Sequence, residues 1–211
     1  MSIGVTGFRT TIVQKLLALV PNETVVSIGR QPTDDVIVDF AAEFDVTAIP
    51  ADLDHYLLAA GLLVPRTLFQ QTFDETAASF AVNLTSPVRI CEHVLSNNPR
   101  ARVAIVGSES WRGSYDTSYF LAKRGINAYV ETRRLEFPDQ QLVVVSPTIV
   151  MDAGMTTRRH DLDRVHRRAE AAPQRRLLDS DEVAQLIHYC LYVNRGSLTN
   201  TVVSLNGGEF A

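Results

Sequence analysis

SIGVTGFRTTIVQKLLALVPN, residues 2–22, is the run whose reading decides the fold. Ser2 to Thr6 is a short, mostly apolar stretch that reads as a strand, and Gly7 breaks it. Thr11 to Val20 places Ile12, Leu16, Leu17 and Val20 on one face of a helix, which Pro21 and Asn22 end. The chain therefore opens as strand, turn, helix, with the turn Gly7–Thr10 lying between a strand's carboxyl end and a helix amino end.

Working outward, the same alternation continues. Thr24 to Ile28 and Asp35 to Asp39 read as strands, the second carrying the β-branched run VIVD of a buried parallel strand. Only GRQPTD separates them, whereas a parallel crossover usually takes about a dozen residues. His55 to Ala59 gives a fourth strand, and Phe73 to Ser96 a long helix that Pro87 must kink or break. Arg102 to Val106 is a fifth strand, Ser114 to Glu136 a helix, and Leu142 to Ser146 a sixth strand stopped by Pro147. Asp181 to Tyr192 reads as an amphipathic helix capped by Ser180 or Asp179, and Val202 to Leu205 as the last strand. With no linker or second composition, the expectation is one α/β domain over residues 1–211: a doubly wound parallel sheet of about seven strands in three layers. Ligands of such sheets bind beyond the carboxyl ends of the strands.

The composition narrows the partner. Among 211 residues, 45% are hydrophobic and the formal net charge is -4, so no global positive field draws nucleic acid or an anionic membrane. A small molecule is the expected ligand. Cys91 and Cys190 lie singly among apolar residues, away from any metal-ligand spacing, and read as buried hydrophobes of a reduced compartment; no metal site is expected. No apolar run reaches the length of about 18 residues that spans a membrane, and MSIGVTGFRTT is no secretion signal, so a cytoplasmic protein is expected.

The chemistry concentrates in SYFLAK, residues 118–123. On a helix, Tyr119 and Lys123 lie one turn apart on the same face, so phenol and ammonium point at one site. A lysine held near a tyrosine favours phenolate and would draw its pKa from about 10 towards neutrality. Other motifs follow the strands in order: Thr6 and Gly7, Asp39, the AAG of Ala59 to Gly61, Ser108, Pro147, and Gly207 with Gly208, with Asn83 inside the long helix. In this order and spacing the sequence resembles the short-chain dehydrogenase/reductase family over its full length. The resemblance implies a Rossmann-type fold and hydride transfer between a nicotinamide and a carbonyl or alcohol carbon. It also implies a loop in place of a helix between strands two and three, as in compact members of that family.

Carried over residue by residue, the resemblance makes Tyr119 the proton donor or acceptor and Ser108 its hydrogen-bonding partner at the substrate oxygen. Ser110 is the alternative, nine residues before Tyr119 where Ser108 is eleven. Lys123 would bind the nicotinamide ribose and depress the tyrosine pKa, and Asn83 would hold a relay water. Asp39, Ala60, Gly61, Pro147 and Ile149 would line the cofactor site. The family's glycine-rich phosphate turn keeps only Gly7 here, with Thr11 and Val13 at the later glycine positions and Thr148 after Pro147. Thr10 and Thr11 could still offer hydroxyls to phosphate at the helix amino end. Arg30 after the second strand, with Arg9 in the turn, favours NADP(H) over NAD(H).

Thr157 to Arg176 is arginine-rich; the resembled family covers its substrate there, which would suit an anionic substrate such as an acyl group on a phosphopantetheine carrier, but a charge run of this kind reads first as a solvated face. His160 and His166 take no role, and Trp111 is a candidate pocket wall. The family's pairing through its long helices implies a homodimer or homotetramer, with Gly125 and Ala128 allowing close approach. The alternative function is a catalytically inactive dinucleotide-binding or regulatory protein on the same fold, suggested by the altered turn.

Overall fold

The computed structural model describes residues 1–109, 116–159 and 161–209. Seven strands form one parallel sheet in the order β3-β2-β1-β4-β5-β6-β7. They are β1 Ser2–Thr6, β2 Thr24–Gly29, β3 Val36–Ile37, β4 His55–Leu58, β5 Arg102–Val106, β6 Gln141–Pro147 and β7 Thr201–Leu205. The order reverses between β1 and β4, and there the crevice for a ligand opens. Along each central strand, side chains alternate between two cores. Ile3, Val5, Leu57, Ala104, Val143 and Val145 meet Val13 and Leu16 of α1, Thr11–Leu19, and Val183, Ala184 and Ile187 of α7, Ser180–His188. Tyr56, Leu58, Val103, Ile105, Leu142 and Val144 face the opposite way, against α3, Ser86–Asn97, and α4, Thr117–Thr132. The three expected layers are present.

The third strand is shorter than the expected Asp35 to Asp39, because the acids at its two ends bond β2 and the turn that follows. The Asp35 carboxylate accepts from the Ser27 amide at 2.8 Å and the Ser27 hydroxyl at 2.6 Å. These bonds clamp the helix-free link onto β2 and hold the Asp35 carboxyl below its usual range. The Asp39 side chain accepts from the Ala41 amide at 3.0 Å, turning the chain out of the sheet.

The long helix is broken, but ahead of Pro87. It divides into α2, Phe73–Phe80, a wide π turn over Ala81–Thr85, and α3, with Pro87 in the first turn of α3. A proline ring collides with the carbonyl four residues back, here that of Asn83, and the widened turn accommodates it. Two short helices that the sequence periodicity does not mark follow β6: α5 Gly154–Thr157, leading into the arginine-rich run, and α6 Leu162–Ala171 within it. A second π turn, Tyr189–Val193, completes the helix expected to reach Tyr192. Cys91 and Cys190 are both buried and free. Among the described residues, no helix is long and apolar enough to cross a membrane.

Candidate active site

The site is built on the join between β1 and β4. Thr6, 2% exposed, accepts with its hydroxyl from the Ala59 amide at 2.9 Å and the Ala60 amide at 3.0 Å. That pins the chain leaving β4 to the end of β1. Gly7 then turns with φ +69°, and a Cβ there would lie 2.9 Å from the Ala59 carbonyl. Both the left-handed conformation and the close approach require glycine. The Thr10 amide donates to the Gly7 carbonyl at 2.9 Å and starts α1, which no side chain caps.

A cavity of about 380 Å³ opens between this turn, the ends of β4, β5 and β6, and the α5–α6 segment. The fold brings Arg9, Thr10, Thr11, Ala60, Gly61, Ser108, Tyr119, Lys123, Pro147 and Ile149 to its wall. Gly7 shapes the turn beside it, while Asn83, Arg30 and Asp39 do not line it. The two residues at the later glycine positions have different fates. Val13 is fully buried in the α1 core, away from the crevice. The Thr11 hydroxyl donates across the crevice to the Asp152 carbonyl at 3.3 Å. Ser110, Trp111 and His160 lie outside the described residues.

Tyr119 and Lys123 are both buried, at 9% and 4% exposure. Asp116 positions them by capping α4, accepting from the Tyr119 amide at 3.0 Å. The same carboxylate accepts from the Val64 amide at 2.9 Å, tying the α4 cap to the loop after β4. Its own pKa is raised, foremost by burial. The sequence reading missed Asp116, because its second partner lies 52 residues away in the chain. The Ser108 hydroxyl is hydrogen-bonded to the Tyr119 phenol.

The expected lowering of the tyrosine pKa is not found. Burial pushes the phenol up to about 12, against the opposing hydrogen bond of Ser108. Lys123 is instead the group that shifts towards neutrality, its pKa drawn down to about 8 by burial. Its ammonium donates to the Val106 carbonyl at 2.8 Å and sits 5.6 Å from the centre of the Tyr119 ring. Desolvation favours the uncharged form of both groups, and it outweighs the Coulombic effect that the spacing suggested.

Asn83 is fully buried in the π turn, and its side chain serves the backbone rather than the cavity. Its amide nitrogen donates to the carbonyls of Leu62 at 2.7 Å and Ser79 at 2.8 Å, and its oxygen accepts from the Leu62 amide at 3.1 Å. The loop after β4 is thereby fastened at both polar groups of Leu62.

Near β2, the Arg9 guanidinium donates to Asp34 at 2.7 Å and to the Thr33 hydroxyl at 2.6 Å. Asp34 also accepts from the Gln31 amide at 2.8 Å. Arg30 is exposed, with no partner among the described residues. On the other wall, Arg168 and Thr148 both bond Glu209, and Arg159 forms two 2.7 Å bonds to Asp161. Arg158, Arg159, Arg164 and Arg168 line the cavity. This part of the arginine-rich run is therefore a wall of the site rather than the expected solvated face.

No protein-family model and no curated protein matches the sequence. Solved structures match the fold. A short-chain dehydrogenase family protein from Francisella tularensis superposes with a TM-score of 0.82 at 19% identity, covering 99% of this chain and 98% of its own. A 3-alpha-hydroxysteroid dehydrogenase from Pseudomonas sp., complexed with NADH, gives 0.78 at 17% identity, over 98% and 96% of the two chains. An actinorhodin polyketide ketoreductase with NADPH gives 0.83 at 16% identity, over 99% and 96%. Over its whole length, the chain has the Rossmann-type α/β fold of the short-chain dehydrogenase/reductase structures.

Proposed function

We propose that residues 1–211 form one dinucleotide-binding domain that acts as an NADP(H)-dependent oxidoreductase on a carbonyl/alcohol pair. The observation that carries this reading is the hydrogen-bonded pair Ser108 and Tyr119, with Lys123 buried behind it, facing a crevice at the sheet's reversal point. A phenol whose pKa is near 12 stays protonated at neutral pH and holds a proton ready for a carbonyl oxygen that gains negative charge. Ser108 adjoins that phenol, and its hydroxyl proton, turned to the substrate, would be a second donor to the same oxygen. The Lys123 ammonium, protonated below pH 8, favours the phenolate left after the proton moves.

The nicotinamide, when bound, supplies or receives the hydride. The wall suits the anionic pyrophosphate of such a dinucleotide, for its lining among the described residues contains Arg9 and Lys123, the open amino end of α1, and no carboxylate side chain. Gly7, Thr10 and Thr11 would hold the phosphates, with Ala60, Gly61, Lys123, Pro147 and Ile149 around the nicotinamide riboside. Arg30 and Asp39 would meet the adenosine end. NADP(H) is favoured over NAD(H) because Arg30 is open to a 2′-phosphate, whereas Asp34 is already bonded to Arg9 and Gln31 rather than available to a hydroxyl.

One observation favours the inactive alternative: the Thr11 hydroxyl bridges the crevice to Asp152 where the resembled family has a glycine. Pairing into a homodimer or homotetramer through α2–α3 and α4 would cover Phe73, 86% exposed, and Leu121, 42% exposed. Gly125 does not serve that pairing, since it admits Leu84 of the same chain, 3.0 Å from its Cβ position.

Tyr119→Phe tests the assignment. Reduction of any carbonyl substrate should fall by about 10² to 10⁴, with NADPH affinity little changed. Unchanged turnover would remove Tyr119 from the reaction.

A further inference from the structure

We propose that the α5–α6 arginines, led by Arg158, bind an oxyanion on the substrate, so that the enzyme prefers carbonyl or alcohol compounds bearing a carboxylate or phosphate. The inference rests on the oxidoreductase reading and names its substrate class. The first support is how charge is distributed. The chain has 24 acidic residues against 20 lysines and arginines. The described residues lining the cavity nevertheless include Arg9, Lys123, Arg158, Arg159, Arg164 and Arg168 and no Asp or Glu. Low-dielectric walls concentrate such a field inside a cleft.

The second support is how the segment is held. Val165, 1% exposed, seats α6 on the protein body, and Glu209 grips Arg168. Asp161 holds Arg159 by two bonds. These anchors hold the cationic segment over the cavity. Arg158, at the end of α5, is exposed and has no partner among the described residues, leaving an open guanidinium fork suited to two oxygens of a carboxylate or phosphate. Leu63, Met155 and Val165 line the same cavity and can cover an aliphatic body between the reacting carbon and the anion. In the proposed placement, the cofactor's phosphates are served from the opposite side, by the amino end of α1 and by Arg30.

The test is calorimetric binding to protein saturated with NADPH, using pairs that share one carbonyl: acetoacetate with methyl acetoacetate, and dihydroxyacetone phosphate with dihydroxyacetone. In at least one pair the anionic member should bind about tenfold more tightly, a difference of about 1.4 kcal/mol. Which pair shows the larger preference distinguishes carboxylate from phosphate. Arg158→Ala should erase most of that preference and Arg158→Lys should retain part of it. Arg167→Ala, on α6 but outside the cavity lining, should leave it intact. Equal affinity within both pairs, no binding of either anion at about 10 mM, or a preference undiminished in Arg158→Ala would overturn the proposal. So would loss of NADPH affinity in Arg158→Ala, which would assign the arginine to the cofactor. Failure of the unaltered protein to bind NADPH would instead count against the oxidoreductase reading.

Discussion

At Lys123 the fold keeps a cation where a neutral group would be cheaper. The side chain is 4% exposed, and its pKa is drawn from 10.5 to about 8 by burial. Below pH 8 the lysine is charged in both folded and unfolded chains, and the folded state bears a penalty on the order of 3 kcal/mol. Between about pH 8 and 10.5 only the folded chain has released the proton, so stability rises with pH across that window. Tyr119 opposes this only above pH 10, where its raised pKa of about 12 makes stability fall. Lys123→Met should therefore stabilise the protein at pH 7 by about 1–3 kcal/mol in urea unfolding, less than the full penalty because the Val106 carbonyl loses its donor. The gain should shrink from pH 8 to 10.5. A less stable variant at pH 7 would show that the ammonium's hydrogen bond outweighs its desolvation. The four-residue spacing made the Tyr119–Lys123 pair legible in the sequence. The direction of its pKa shifts was not, because burial is a property of the assembled core.

Among the elements, the broken helix α2–α3 holds the loop after β4, which borders the site. The sequence located the disturbance through Pro87, and the widened turn falls four residues earlier because the ring's clash is with the Asn83 carbonyl. The turn carries Asn83 into the core, where it satisfies both polar groups of Leu62. Asn83→Ala would leave them unpaired and should cost about 1–3 kcal/mol, read from the urea midpoint. A loss below about 0.5 kcal/mol would mean that other groups or water hold that loop. The helices α5 and α6 escaped the sequence reading for a physical reason. Val165 is the only side chain of α6 buried to core level, too few for an apolar stripe to register. Likewise β3 shrank to Val36–Ile37 because Asp35 and Asp39, read as strand residues, bond Ser27 of β2 and the Ala41 amide of the following turn instead.

Over the whole molecule, the alternation of strands and helices in sequence was enough to give seven parallel strands, three layers and a crevice at the strands' carboxyl ends. Apolar period and turn residues are local signals, so this level was readable. The wiring of the site was not, because Asp116 with Val64, Arg9 with Asp34 and Thr11 with Asp152 join residues 25 to 141 positions apart. The last two pairs bear on the central claim, since both surround the turn where glycines of the resembled family are replaced. The direct measurement is titration of the protein with NADPH and with NADH, followed by nicotinamide fluorescence. The account predicts saturable binding of both, tighter for NADPH, with the preference lost in Arg30→Ala. No binding of either nucleotide up to about 1 mM would contradict it.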